Sequence, residues 1–198
     1  MMQEAISKDA KKLRDFLKRE IAKRCYKYSD EPFVLASGKR SNHFFDLRFI
    51  TRDMQLLTVL VDYMMISRFI NRDSAFIFSS VAGVAHGADP LVYVLASRFN
   101  SNPLIVLKEY YDRDGRRVAK IDGLVDQAEH REALCVEDVT TTGGSVIRAI
   151  NSLRSHNIIC DTVLSVLDRE EGAEESLEKE GIKLISLFCK SEIVQQAW

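Results

Sequence analysis

Apolar residues recur near the start of the chain at Ile6, Ala10, Leu13, Leu17, Ile21 and Cys25, the three-to-four spacing of one helix face. This predicts an amphipathic helix over about residues 5–27, with Lys11, Lys12, Lys18, Arg19, Lys23 and Arg24 on its solvent side. Two short strand-like pieces follow, 33–36 and 43–46, joined by Ser37-Gly38-Lys39-Arg40-Ser41. Residues 54–70 are apolar on most sides and read as a largely buried helix. From Ser74 onward the pattern alternates. Short continuous apolar runs at 75–78, 104–107, 133–136, 162–167 and 183–186 read as strands covered on both faces. The segments 89–99, 145–156 and 173–180 read as helices between them. Asp89 is expected to cap the first of these, with Pro90 in its first turn, and Gly181 to stop the last. Such alternation predicts an α/β fold: a doubly wound, mostly parallel sheet with helices on both faces. One stretch breaks the rhythm. Residues 107–123 are too charged for a core helix and too many for a plain connection, so they read as a mobile loop over a site.

Composition narrows the class. A chain of 198 residues fits one domain, and 46% hydrophobic with 29% charged residues excludes a disordered one. Nine glycines and three prolines are few, which leaves each glycine to be explained by a local need. Basic and acidic residues number 28 and 29, so no overall basic field exists to hold nucleic acid. The most apolar stretch carries Asp62 and Arg68 and is short for a membrane span. The N-terminal segment lacks the apolar core of a secretory signal, and its Asp9, Asp15 and Glu20 argue against a transit peptide. The four cysteines, Cys25, Cys135, Cys160 and Cys189, show no CxxC spacing and read as buried reduced thiols of a cytoplasmic protein.

The chemistry concentrates in Cys135-Val136-Glu137-Asp138-Val139-Thr140-Thr141-Thr142-Gly143-Gly144-Ser145. A buried strand runs into two carboxylates, a Thr/Gly turn follows, and a helix begins at once. In an open parallel sheet ligands bind beyond the carboxyl ends of the strands. The turn offers backbone N–H groups, hydroxyls and a helix N-terminus, all suited to a phosphate. Carboxylates facing that phosphate would repel it, whereas carboxylates accepting from sugar hydroxyls would not. The ligand implied is a phosphorylated sugar with a vicinal diol. Neither a Walker A loop nor a GxGxxG fingerprint is present.

This segment resembles the phosphoribosyl-pyrophosphate (PRPP) signature of the type I phosphoribosyltransferases. Three further segments resemble the orotate phosphoribosyltransferase family: Leu35 to Arg48, the turn Ala82-Gly83-Val84-Ala85-His86-Gly87-Ala88-Asp89-Pro90, and Leu167-Asp168-Arg169-Glu170-Glu171-Gly172-Ala173. The C-terminal strand Ser186-Leu187-Phe188 is similar as well, and the likeness runs in order from about Phe33 to Val194. It implies a type I phosphoribosyltransferase fold in a single domain over 1–198. About 1–50 and 186–198 would form a small hood, and about 51–185 the sheet core with a mobile loop at 108–123.

The activity implied is transfer of the 5-phosphoribosyl group of PRPP to orotate, giving orotidine 5′-monophosphate and pyrophosphate in pyrimidine synthesis. The alternatives are a PRPP-binding regulatory homologue with little turnover, or a transferase for another base. By the same resemblance Glu137 and Asp138 would hold the ribose hydroxyls, and Val139, Thr140, Thr141, Thr142, Gly143, Gly144 and Ser145 the 5′-phosphate. His86 and Gly87 would lie at pyrophosphate, and Arg169, Thr141, Phe44 and Phe45 at orotate. Lys108 and Asp138 would be catalytic. Mg²⁺ would arrive mainly on PRPP, and a homodimer would send loop 108–123 to the neighbouring site.

The bland readings stay beside these. Arg169 could be a surface partner of Glu170 or Glu171, one of the two phenylalanines plain core, and His86 a loop residue. The loop also departs from the family pattern. Tyr111 stands where a second lysine is expected and Arg113-Asp114-Gly115 near an expected His-Gly. Arg113, Arg116, Arg117 or Lys120 would supply the missing cation, or catalytic power would be lost.

Overall fold

A computed structural model describes residues 2–34, 38, 40–67, 78–111, 117–123 and 132–198, without the side chains of 2–8, 108–111 and 117–119. Helix α1 (Met2–Arg24) buries Leu17 and Ile21 completely. It stops short of the expected Lys27 because Tyr26 already begins strand β1 (Tyr26–Val34). This strand pairs antiparallel with β2 (Arg40–Phe45), a small ribbon apart from the main sheet. A single turn, α2 (Arg48–Thr51), leads to α3 (Met54–Ile66), where the Asp53 side chain accepts from the N–H groups of Gln55 and Leu56.

Among the described residues the main sheet has six strands: β3 (Ser80–Val84), β4 (Asn102–Tyr111), β5 (Arg117–Asp122), β6 (Ala133–Thr140), β7 (Thr162–Asp168) and β8 (Lys183–Cys189). Their spatial order is β5-β4-β3-β6-β7-β8, parallel throughout except for β5. Helices α4 (Asp89–Phe99), α5 (Gly144–Ser155) and α6 (Ala173–Glu178) follow strands β3, β6 and β7. Successive strand residues face opposite sides. Val81, Leu134, Val136 and Leu164 therefore join one core with α1, α3 and α4, while Ala82, Cys135 and Val163 join a second with α5 and α6. Both faces are covered, which is why the strands read as continuous apolar runs.

Several expectations are corrected. The first strand of the sheet among the described residues is 80–84; the strand predicted at 75–78 is untested, because all of it but Phe78 lies outside them, as do 35–37. Residues 107–123 are not simply a loop: β4 continues to Tyr111 and β5 returns antiparallel beside it. Tyr110, Tyr111, Val118 and Ile121 have strand preference, and an edge strand needs only one partner, so interspersed charges are tolerated there. Asp89 does not cap α4; Ala88 holds the cap position, and the Asp89 carboxylate turns to His86 instead. A final helix, α7 (Lys190–Ala197), was not expected, since Ile193 is its one fully buried residue and so short an apolar face leaves little periodicity. All four cysteines are free, three of them buried. No helix among the described residues is long and apolar enough to cross a membrane.

Candidate active site

From β3 the chain crosses to β4 on one side, whereas β6, β7 and β8 build outward on the other. The connections diverge between β3 and β6, and α4 and α5 leave toward opposite faces. A crevice opens at such a switch point, beyond the strand carboxyl ends. The segments that end β3 and β6 are the Ala85–Ala88 turn and the Thr140–Ser145 turn.

These segments touch at Gly87 and Asp138. A Cβ on Gly87 would lie 2.2 Å from Asp138 Oδ2, so no larger residue fits while the carboxylate holds its place. Asp138 Oδ1 accepts the Val139 N–H at 2.9 Å. His86 projects outward, 77% exposed, with Nδ1 3.0 Å from Asp89 Oδ2.

The Thr/Gly turn is mostly backbone. Gly143 takes the left-handed conformation at φ 79° and caps α5, whose first turn holds no acidic residue. The first N–H groups of a helix lack intrahelical acceptors, and the helix dipole adds positive potential there. Thr141, Thr142, Gly144 and Ser145 are half-buried along this rim. Thr140 behaves differently. Its hydroxyl is 1% exposed and donates to the Ser165 hydroxyl, which in turn donates to the Leu167 carbonyl at 3.1 Å. Its side chain ties β6 to β7 and does not face the crevice.

Strand alternation also separates the acid pair. Asp138 points to the face where Gly87 lies, whereas Glu137, 2% exposed, shares the α5 face with Cys135. The Cys135 thiol is held protonated well above its usual range, first by its contact with the Cys160 thiol, then by burial and the nearby carboxylate of Glu137.

One strand further on, Arg169 leaves the end of β7. Its N–H donates to the Thr140 carbonyl at 2.9 Å, which locks the two loop origins together. The residue is only 5% exposed, and its guanidinium lies 6.0 Å over the Phe45 ring. Nη2 is 2.7 Å from Glu171 Oε1. Phe45 is the inward member of its pair, 7% exposed and 5.2 Å from Tyr26, whereas Phe44 faces the other way against Phe33 at 5.4 Å. Tyr26 Oη lies 2.8 Å from His43 Nδ1, and Tyr28 meets Trp198, just past α7, edge-on at 5.9 Å. The ribbon β1–β2 and α7 thus roof the Arg169 side.

No protein-family model matches the chain. Individual relatives do. It is 38% identical over 187 residues to an orotate phosphoribosyltransferase of Aquifex aeolicus, covering 91% of this chain and 97% of that one. The chain belongs to the orotate phosphoribosyltransferase family. An orotate phosphoribosyltransferase of Pyrococcus horikoshii is 36% identical, covering 87% and 88% of the two chains. The crystal structure of the family member from Aeropyrum pernix superposes with a TM-score of 0.73 at 28% identity, over 99% of this chain and 97% of that one. An adenine phosphoribosyltransferase of Trypanosoma brucei shares the fold at TM-score 0.66 and 12% identity, over 89% and 80% of the chains. The fold is therefore the type I phosphoribosyltransferase fold.

As an orotate phosphoribosyltransferase-family chain, this one brings the PRPP-signature turn, the Gly87 turn and Arg169 to one sheet end. Lys108 lies on β4, with its side chain outside the described ones, and Arg113 and Arg116 lie outside the described residues altogether. Two groups escaped the sequence reading, one of them at the end of its first motif and the other just past its last. Arg48 donates to Asp46 at 2.6 and 2.7 Å. That pairing, and to a smaller degree the negative charge of Asp138, raises the guanidinium above its ordinary value. The same pairing holds Asp46 below the usual carboxylate range. The second group is Lys190 at the start of α7. Its charge reaches His43, which is lowered first by burial, then by Lys190 and Arg169. Charge of this kind is visible only once the hood is folded over the sheet.

Proposed function

We propose that the protein catalyses the family reaction: PRPP and orotate give orotidine 5′-monophosphate and pyrophosphate, the step that attaches ribose phosphate in pyrimidine synthesis. The observation that carries this is the meeting of a carboxylate, a glycine turn and a buried arginine at one switch-point crevice. The orotate ring nitrogen forms a bond to ribose C1 as the C1–O bond to pyrophosphate breaks, and the electron pair leaves with pyrophosphate. The nitrogen proton is released.

The chain's own residues act by placement. The Thr141–Ser145 backbone and hydroxyls hold the 5′-phosphate with Val139 behind them. Asp138 takes the ribose hydroxyls, with Glu137 on the far side of the same strand. Gly87 lets pyrophosphate approach, and His86 at the rim offers it a ring nitrogen. Arg169 holds the orotate carboxylate as a fork beside Thr141 and Phe45, with Phe44 outside. Lys108 on β4 supplies positive charge toward the leaving group.

Among the described residues no three His, Cys, Asp or Glu side chains cluster as a metal cage. The carboxylate oxygens of Asp138 suit a hard cation that keeps its waters and most of its bonds to substrate, so Asp138 would steady Mg²⁺ delivered on PRPP, while Glu137, buried on the opposite face of the strand, stays out of its reach. When bound, Mg²⁺ neutralises pyrophosphate charge.

The same reading makes 1–198 one domain, with 1–50 and 186–198 as hood. It makes the working unit a cytoplasmic homodimer in which the 108–123 hairpin serves the neighbouring site, with small molecules rather than nucleic acid or membranes as partners. Loss of orotate absorbance with PRPP and Mg²⁺, matched by pyrophosphate release, tests the activity. PRPP binding without orotate loss would instead favour a regulatory role, the reading that Tyr111 in place of a lysine supports. Consumption of a purine would favour another base. Mixing Lys108→Ala with Asp138→Ala subunits should restore activity if hairpins cross between sites; no recovery would remove that exchange.

A further inference from the structure

The guanidinium of Arg169 is buried but not satisfied. It is 5% exposed, and its Nε and Nη2 have no hydrogen-bond partner among the described residues. These two nitrogens form one edge of the guanidinium, the edge that grips a carboxylate with two parallel bonds. What faces that edge is a carboxylate of the chain itself. Glu171 Oε1 stands 2.7 Å from Nη2, out of line with the N–H, with its side chain 20% exposed. The neighbouring Glu170 does not share this duty: it accepts from the Ser191 N–H at 2.8 Å and hydroxyl at 3.0 Å, at the start of α7. The loop therefore sorts its two acids. Glu170 is tied to the hood, and Glu171 rests on the arginine.

A buried arginine without a counter-charge is strongly unfavourable. Before substrate arrives something must balance it, and the balance must be removable. An aligned two-bond pair would be hard to displace; a single misaligned contact from a partly exposed side chain is not. Gly172 follows at once at φ 93°, with nothing within 4 Å of where a Cβ would stand, and the Glu171 side chain already reaches solvent.

We infer that Glu171 is a placeholder carboxylate, occupying the Arg169 fork in the free enzyme and yielding it to the carboxylate of the incoming base. Glu171 is a positioning residue, and orotate affinity is a difference between two carboxylates competing for one guanidinium. This rests on the assignment of Arg169 to the orotate carboxylate.

The test uses the full-length enzyme. Glu171→Gln keeps shape and removes charge; Glu171→Asp keeps charge and shortens the reach. Both should lower the KM for orotate, Glu171→Gln by about three- to tenfold, with the KM for PRPP unmoved. The preference for orotate over uracil, which lacks the carboxylate, should widen by a similar factor. Inhibition by benzoate, a simple carboxylate, should strengthen in Glu171→Gln. A raised or unchanged orotate KM in both variants would overturn the proposal, because a residue that merely braces Arg169 weakens binding when removed. Arg169→Lys separates the two layers. If it leaves the orotate KM untouched, the underlying assignment fails; if it raises that KM while the Glu171 variants do not lower it, only the placeholder fails.

Discussion

Strands β6 and β7 are neighbours, parallel and in register from Cys135 against Val163 to Thr140 against Asp168, yet their ends are built in different ways. The end of β6 is mostly backbone: a left-handed glycine, a helix N-terminus, and one carboxylate seated on a glycine. The end of β7 presents a single long side chain, buried against one aromatic ring, Phe45, from a distant part of the chain. Backbone recognition is local and tolerates few substitutions at its glycines. Side-chain recognition needs a roof, and the roof here comes from β2 and α7.

The sharpest way to break the first kind is Gly87→Ala. The added Cβ would meet Asp138 at 2.2 Å, and that carboxylate must move. Turnover should fall at least about a hundredfold, since small misplacements of a positioning group cost that much. The thermal midpoint should shift little. A variant with near-normal turnover would show that the contact is not needed.

Arg169→Ala should break the second kind. A buried charge-assisted pair contributes about 1.5–3 kcal/mol, so the KM for orotate should rise roughly ten- to a hundredfold while that for PRPP holds. Steady-state kinetics with each substrate varied separately would decide it. Equal effects on both substrates would erase the distinction between the two loops.

Phe45→Ala should fall between fold and site. It removes a buried ring from the core and from beneath Arg169, so about 3 kcal/mol of stability should be lost and the orotate KM should rise severalfold. Phe44→Ala should do neither to the same degree, because its ring packs on Phe33, away from Arg169. Denaturant unfolding of both variants gives the comparison.

The contrast also explains what could be read from the chain. The β6 turn is contiguous, so its strand, acids, glycines and helix were visible in order, and the alternating apolar runs gave the parallel sheet. The Arg169 motif was visible, but its environment was not. Only the fold sets Phe45 against it, chooses Phe45 over Phe44, and assigns Glu171 rather than Glu170 to the guanidinium. Thr140 misled for the opposite reason. It stands in the motif, yet its side chain turns into the sheet and its hydroxyl donates to Ser165 of the neighbouring strand. Asp89 before proline looked like a helix cap until the turn supplied His86 as a nearer partner.

The smallest expected effect concerns pH, and it belongs to the roofed side. His43 is held below its ordinary value by burial first, then by the positive charges of Lys190 and Arg169, while Tyr26 lies on its ring nitrogen. The folded protein thus resists protonating His43 more than the unfolded chain does. For a group shifted in this direction, the unfolded state binds more protons below the ordinary value near 6.5. Stability from the neutral ring is complete above that pH and declines as pH falls toward the folded value. Wild type should therefore lose a few degrees more in thermal midpoint between pH 7.5 and 5.5 than His43→Phe does, a range chosen to bracket that titration. Charging His43 also adds a cation near Arg169, so any acid effect on the KM for orotate should diminish in His43→Phe, while the Gly87 side keeps its wild-type response. Parallel melting curves and identical KM profiles for the two proteins would show that His43 does not couple the roof to the arginine beneath it.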